Sequence, residues 1–240
     1  MAGRKTEYGS GPLFKAAGTV YGVMVCAALL VLANVYVVLL PLLAGLVGPV
    51  ALLGFVLVGP AVVASCYAFN RLPAGEDTGV FHDFVKSYRD NFGQALVVWL
   101  PYMLLLGAIA FNLAVLPGTS SPGSTGGTDP VQLAARIGLV GLALMVCTTA
   151  MNAMLLLSRF AFRTRDIHRL SVYTLGVQRR VSLGNAGILF VTAFVLVMTT
   201  AWLALFVAGL VLYLVCLNSR PLLAAVEAKF TVAGGPSVAG

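Results

Sequence analysis

The residues of this chain that could do chemistry are few and widely spaced. His82 beside Asp83, and Asp166 near His168, have the types needed for proton transfer. Cys26, Cys66, Cys147 and Cys216 have the type needed for a disulfide or a metal, and Asn34, Asn112 and Asn152 interrupt otherwise apolar sequence. Spacing argues against most of this chemistry. Neither His/Asp pair comes with a G-x-S-x-G or H-E-x-x-H pattern, no cysteine has a C-x-x-C partner or a nearby histidine, and there is no P-loop. The chain is therefore read as neither an enzyme nor an ATPase, without a metal or other cofactor, and its cysteines as buried free thiols. The asparagines leave two readings open. Asn34 and Asn152 are candidates for an intramembrane polar site that would take a sugar or a lipid headgroup. Equally, they can act as glue between helices, where such hydrogen bonds average about 0.6 kcal/mol.

Composition decides what elements must carry these residues. Of 240 residues 60% are hydrophobic and only 10% charged, and the mean hydropathy is +0.97. Ordinary soluble domains carry about 25% charged residues, so the chain is read as an all-α, polytopic transmembrane bundle. No charge falls between Lys15 and Arg71, between Asp90 and Asp129, between Arg136 and Arg159, or between Arg180 and Arg220. The first run is too long for one helix across a core of about 30 Å, and Pro41, Gly45, Gly48 and Pro49 supply a break. The expected spans are 17–40, 48–70, 93–116, 130–158, 183–201 and 204–220. The last two are read as a hairpin, with one steeply tilted helix as the alternative. Residues 117–129, rich in Gly, Pro, Ser and Thr, read as a flexible external loop, and Asp129–Pro130 as a helix start. The whole of 1–230 reads as one transmembrane domain and 231–240 as a disordered tail.

Lys and Arg set the expected orientation. They collect before the first span, between the second and third, between the fourth and fifth, and after the last, all on one side. By the positive-inside rule both termini are cytoplasmic and the apolar N-terminal run is an uncleaved anchor. Arg136, just inside the fourth span, can snorkel to the opposite surface. The net charge of +7 is then explained by loops facing anionic lipid, and nucleic acid is not an expected partner.

Two charged stretches remain. In GVFHDFVKSYRDNFGQALVVW, residues 79–99, Phe81, Phe84, Val85, Tyr88 and Phe92 recur at helical spacing, with Asp83, Lys86, Arg89 and Asp90 away from them. In RTRDIHRLSVYTLGVQRR, Ile167, Leu170, Tyr173 or Thr174, Val177 and Val181 make a similar stripe beside Arg163, Arg165, Arg169, Arg179 and Arg180. Both read as amphipathic helices lying in the cytoplasmic interface. Phe81, Phe84, Tyr88, Asn91, Phe92, Arg163, Arg165 and Arg169 are the candidate docking residues. Span, interfacial helix, span occurs at 48–116 and again at 130–201, which suggests a pseudo-repeat. Gly18 and Gly22 form a G-x-x-x-G that permits close helix approach.

An early GPLF, Asn34, Gly59-Pro60-Ala61 and VFHDFVKSYRDNFGQAL, followed later by LLLSRFAF and LYLVCLNSRPLL, resemble the YesL-like family of bacterial membrane proteins. The F-x-x-F-x-x-x-x-x-x-N-F core at Phe81, Phe84, Asn91 and Phe92 is the most specific part, whereas PLLAGLVGPVALLGFVLVGP is longer and more apolar than the family's usual segment there. The family has no established activity, and its members commonly accompany carbohydrate ABC-importer genes. The resemblance therefore implies an accessory or assembly component of carbohydrate uptake in the cytoplasmic membrane, with importer permease subunits as partners. The alternative is a small autonomous carrier or channel for a neutral solute.

Overall fold

The computed structural model describes residues 12–37, 54–72, 79–115, 130–199 and 203–230. Those residues form nine α-helices and no strand. α1 is Pro12–Ala33, and a 3-10 turn at Phe55–Leu57 leads into α2, Val58–Arg71. α3 is Val80–Asp90 and α4 Phe92–Val115; α5 is Pro130–Arg159 and α6 Thr164–Val177. α7 is Arg179–Met198, α8 Leu203–Asn218 and α9 Arg220–Phe230. Proline at the head of α1 and of α5 has a fixed φ suited to a first helical position.

This is an all-α bundle with apolar helices fit for a membrane. Ala16–Ala33, Phe92–Val115, Pro130–Arg159 and Arg179–Met198 are long and apolar enough to cross, Val207–Asn218 and Arg220–Lys229 qualify together as a pair bent by 45°, and Phe55–Arg71 is a shorter apolar helix. Each of the six intervals expected from the sequence thus holds a helix. The proline-rich turn after 37, the 117–129 loop and the 231–240 tail lie outside the described residues.

The choice left open over 183–220 is settled by packing. α7 ends at Met198, α8 begins at Leu203, and the two lie against each other. Asn218, at the end of α8, donates to the carbonyl of Val181 at the start of α7, 2.9 Å away. Two antiparallel helices form a hairpin here, not one tilted helix.

α5 is the hub. Half of its apolar window is buried against 17% for each of the other three long spans, because α2, α4, α6 and α7 all pack on it. Three clusters follow: α1, α2 and α8 around Cys26, Phe69 and Val215; α2, α4 and α5 around Val98 and Met154; α5, α7 and α9 around Leu156 and Leu222. In both proposed repeat units the first helix packs on the short helix and on the third: α2 on α3 and α4, α5 on α6 and α7.

Small residues permit the closest approaches. Gly209 of α8 lies against Ala27 of α1, where an added Cβ would sit 2.8 Å from the Ala27 Cα. Gly22 faces the Leu72 side chain, but Gly18 meets nothing within 4 Å, so only the second glycine of the G-x-x-x-G is a contact.

The third short helix, α9, has no counterpart in the sequence reading. It turns off α8 at Ser219 and buries Leu222, Leu223 and Val226 against Leu156 and Val181. Arg159 pairs with Glu227 at 3.0 Å, and Lys229 Nζ donates to Tyr173 Oη at 3.0 Å, so α9 is tied to both α5 and α6. α3 follows a helix that ends at Arg71, α6 one that ends at Arg159, and α9 itself begins at Arg220.

Candidate functional site

The α3 stripe divides where one continuous face was expected. Phe84 is in the core, packed with α2 and stacked 6.1 Å from the half-buried Tyr88, while Phe81 is 62% exposed and Phe92 also lies outward. Phe84 is therefore corrected from docking residue to core. Asp83 is corrected too: it faces inward, nearly buried, with its carboxylate 3.2 Å from Arg71. The reason is the position of Arg71 at the C-terminus of α2, where a cation also suits the helix dipole; Tyr67 one turn earlier holds it through its hydroxyl at 2.9 Å. A carboxylate placed on the face that meets α2 finds that guanidinium, so charge pairing outweighs the tendency to face water. The Asn91 amide donates back to Ser87 O at 3.3 Å and closes the end of α3.

Entry to α3 needs Gly79. Its φ of +79° is in the left-handed region that side chains disfavour.

Arg163, at the N-cap of α6, and Arg165 and Arg169 on the helix are all exposed and lie close together in sequence. The buried face is Ile167, Ser171 and Thr174, so of the two expected alternatives Thr174 carries the stripe and Tyr173 looks out. Near these arginines an open cleft of about 540 Å³ is lined by Phe162, Asp166, Arg169, Leu170 and Tyr173.

Neither His/Asp pair forms. Asp83 takes Arg71, and His168 Nδ1 lies 3.1 Å from Tyr102 Oη on α4. Tyr102 Oη is 2.9 Å from Ser171 Oγ, which donates to the His168 carbonyl at 2.9 Å. Because a carbonyl can only accept, the Ser171 proton is committed there; Tyr102 then donates to Ser171, and His168 donates from Nδ1 to Tyr102. The ring of three bonds assigns the Nδ1–H tautomer and fastens α6 to α4. Burial lowers the His168 pKa below its ordinary 6.5, favouring the neutral imidazole.

Asn34 and Asn152 are not brought together, which corrects the idea of a shared intramembrane site. Asn34 is half-buried and bonded within its own segment, its amide to Leu30 O at 2.8 Å and its carbonyl to Tyr36 Oη at 3.0 Å. Asn152 is fully buried in a different group. Asn185 Nδ2 donates to Asn152 Oδ1 at 3.3 Å and to Ser219 Oγ at 2.9 Å, while Asn185 Oδ1 accepts from Asn218 Nδ2 at 2.8 Å. Asn185 thus uses both donors and its acceptor to join α5, α7 and the end of α8. Within the knot, Asn152 Nδ2 is a buried donor without a partner among the described residues.

Asn185, Asn218 and Ser219 were missed by sequence reasoning. A signal existed for Ser219: a polar residue precedes arginine at the end of α2, at the end of α5 and at the bend between α8 and α9, as Asn70-Arg71, Ser158-Arg159 and Ser219-Arg220. Asn70 reaches Ser158 Oγ at 3.5 Å, so two of these endings meet directly. Cys26, Cys66 and Cys216 are buried in one cluster, and all four cysteines are free thiols.

Comparison with known proteins adds one finding. No curated protein and no solved structure matches the chain. A family model described as "Protein of unknown function, DUF624" matches residues 23–113, the stretch that holds the second half of α1, all of α2 and α3, and α4 to within its last turn.

Proposed function

We propose that this chain is an accessory or assembly component of the bacterial cytoplasmic membrane, YesL-like in family, with both termini in the cytoplasm. Its layer of α3, α6 and α9 is the docking surface for a partner, in this reading the permease subunits of a carbohydrate ABC importer. The observation that carries it is the exposed trio Arg163, Arg165 and Arg169, mounted on a helix that Ile167, Ser171 and the Tyr102–His168 bond hold fast. A rigid cationic patch is pre-organised for an acidic partner and loses little entropy on binding. The knot supports the same reading, since both donors and the acceptor of the Asn185 amide are spent on Asn152, Ser219 and Asn218 and not on a passage.

The test is purification from native membranes in mild detergent, with mass spectrometry of what stays bound. Importer subunits are expected with the wild type and are expected to be lost when Arg163, Arg165 and Arg169 are all changed to Glu. If the triple variant keeps every association, the docking surface is wrong.

A neutral-solute carrier is the second reading, favoured by one observation, the unpartnered amide of Asn152. It requires Asn152→Ala to alter uptake in proteoliposomes; absence of uptake by the wild type under any gradient would remove it.

A further inference from the structure

Beside α7 runs a groove that neither docking nor transport uses. It has a volume of about 310 Å³ and lies between Leu144, Met145 and Thr148 of α5 and Arg179, Leu183 and Ala186 of α7. Leu183 is 71% and Met145 50% exposed, so the groove opens sideways from the bundle. Its wall hydroxyls are already spent, Thr148 Oγ donating to Leu144 O at 2.8 Å and Ser182 Oγ to Thr174 O at 3.4 Å. What remains is an apolar channel with a cation at one end. Arg179 is exposed, and its Nε donates to Gly176 O at 3.3 Å, which leaves both Nη groups without a partner among the described residues. From Arg179 to Ala186 is seven residues, roughly 10 Å along a helix, enough for part of an acyl chain to lie below the guanidinium.

We propose that this groove binds an anionic phospholipid, its acyl chain along α5 and α7 and its headgroup phosphate on the Arg179 Nη groups. An apolar solute would leave the guanidinium unused, and a small polar anion would leave the groove unfilled; a phospholipid with net negative charge satisfies both. A zwitterionic lipid offers the same chain but carries its own cation beside the phosphate, so it competes poorly for Arg179. This site stands independently of the docking surface, which uses other arginines.

The experiment is native mass spectrometry of the full chain in detergent with equal amounts of dioleoyl-phosphatidylglycerol and dioleoyl-phosphatidylcholine. Retention of phosphatidylglycerol is expected to exceed that of phosphatidylcholine by about fivefold, which corresponds to about 1 kcal/mol for one basic residue. Arg179→Gln is expected to abolish the preference, and Lys15→Gln, a charge change outside both the docking surface and the groove, to leave it. Leu183→Trp, at an exposed position that a folded chain tolerates, is expected to lower retention of both lipids by filling the groove. Equal retention of the two lipids by the wild type overturns the proposal. So does a preference that survives Arg179→Gln, or lipid binding unaffected by Leu183→Trp.

Discussion

Asp83 lies on the inner face of α3 with its carboxylate beside Arg71, and this pair fixes the approach of α3 to α2. Removing one member of a nearly buried pair leaves a charge with reduced compensation, so Asp83→Ala is expected to cost ~2–4 kcal/mol. Thermal unfolding in detergent checks this, and a change under ~1 kcal/mol would mean that the pair is ornamental. His168 makes a pH-dependent contribution of definite sign. Its folded pKa lies below the ordinary 6.5, so the unfolded chain binds the proton more readily. Its stabilisation is complete above pH 6.5 and declines as the pH falls toward the folded value. The melting temperature of the wild type is therefore expected to drop more than that of His168→Gln between pH 7.5 and 5.5. Equal drops would show that burial of His168 does not disfavour its charged form.

At the scale of elements, close approach depends on where glycine faces a neighbour. Gly209→Val would drive a side chain into Ala27 and part α8 from α1, an overpacking expected to cost ~1–3 kcal/mol. Gly18→Ala, which meets nothing, is expected to be neutral or slightly stabilising, because alanine is the better helix former. Unfolding of the two variants in parallel separates packing from propensity. Helix existence was largely legible beforehand: charge-free runs and the Asp129–Pro130 start located the long helices because hydrocarbon length and capping are local rules. The α3 face was legible only in part. Periodicity placed Phe81, Phe84 and Phe92 on one stripe, but which part of it is buried depends on α2, whose Arg71 turns Asp83 inward. α9 was not seen at all: the last expected span ends at 220, and the helix beyond it is fixed by burial of Leu222, Leu223 and Val226 against Leu156 and Val181 of other helices.

For the whole molecule, orientation is the property from which the docking proposal draws its meaning. If the arginine-rich layer faces the cytoplasm, a cysteine introduced by Ser124→Cys reacts with a membrane-impermeant maleimide in intact cells, whereas one at Arg165→Cys reacts only after permeabilisation. The reverse pattern would invert the molecule and remove a cytoplasmic partner from consideration. The internal packing works at the same scale: α5 packs on α2, α4, α6 and α7, is tied to α9 by Arg159–Glu227, and through Asn152 and Asn185 is joined to α7 and the end of α8. The sequence alone determined that the chain is a helical bundle for lipid, where its long apolar helices lie, and that its arginines gather between particular helices, because hydropathy, length and charge act over neighbouring residues. Only the tertiary structure decided that Asn34 and Asn152 stay apart, that Asn185 collects Asn152, Asn218 and Ser219, and that His168 bonds Tyr102 in preference to Asp166. Those outcomes depend on how far each helix is rotated about its axis, and rotation is set by the fit of every neighbouring helix at once.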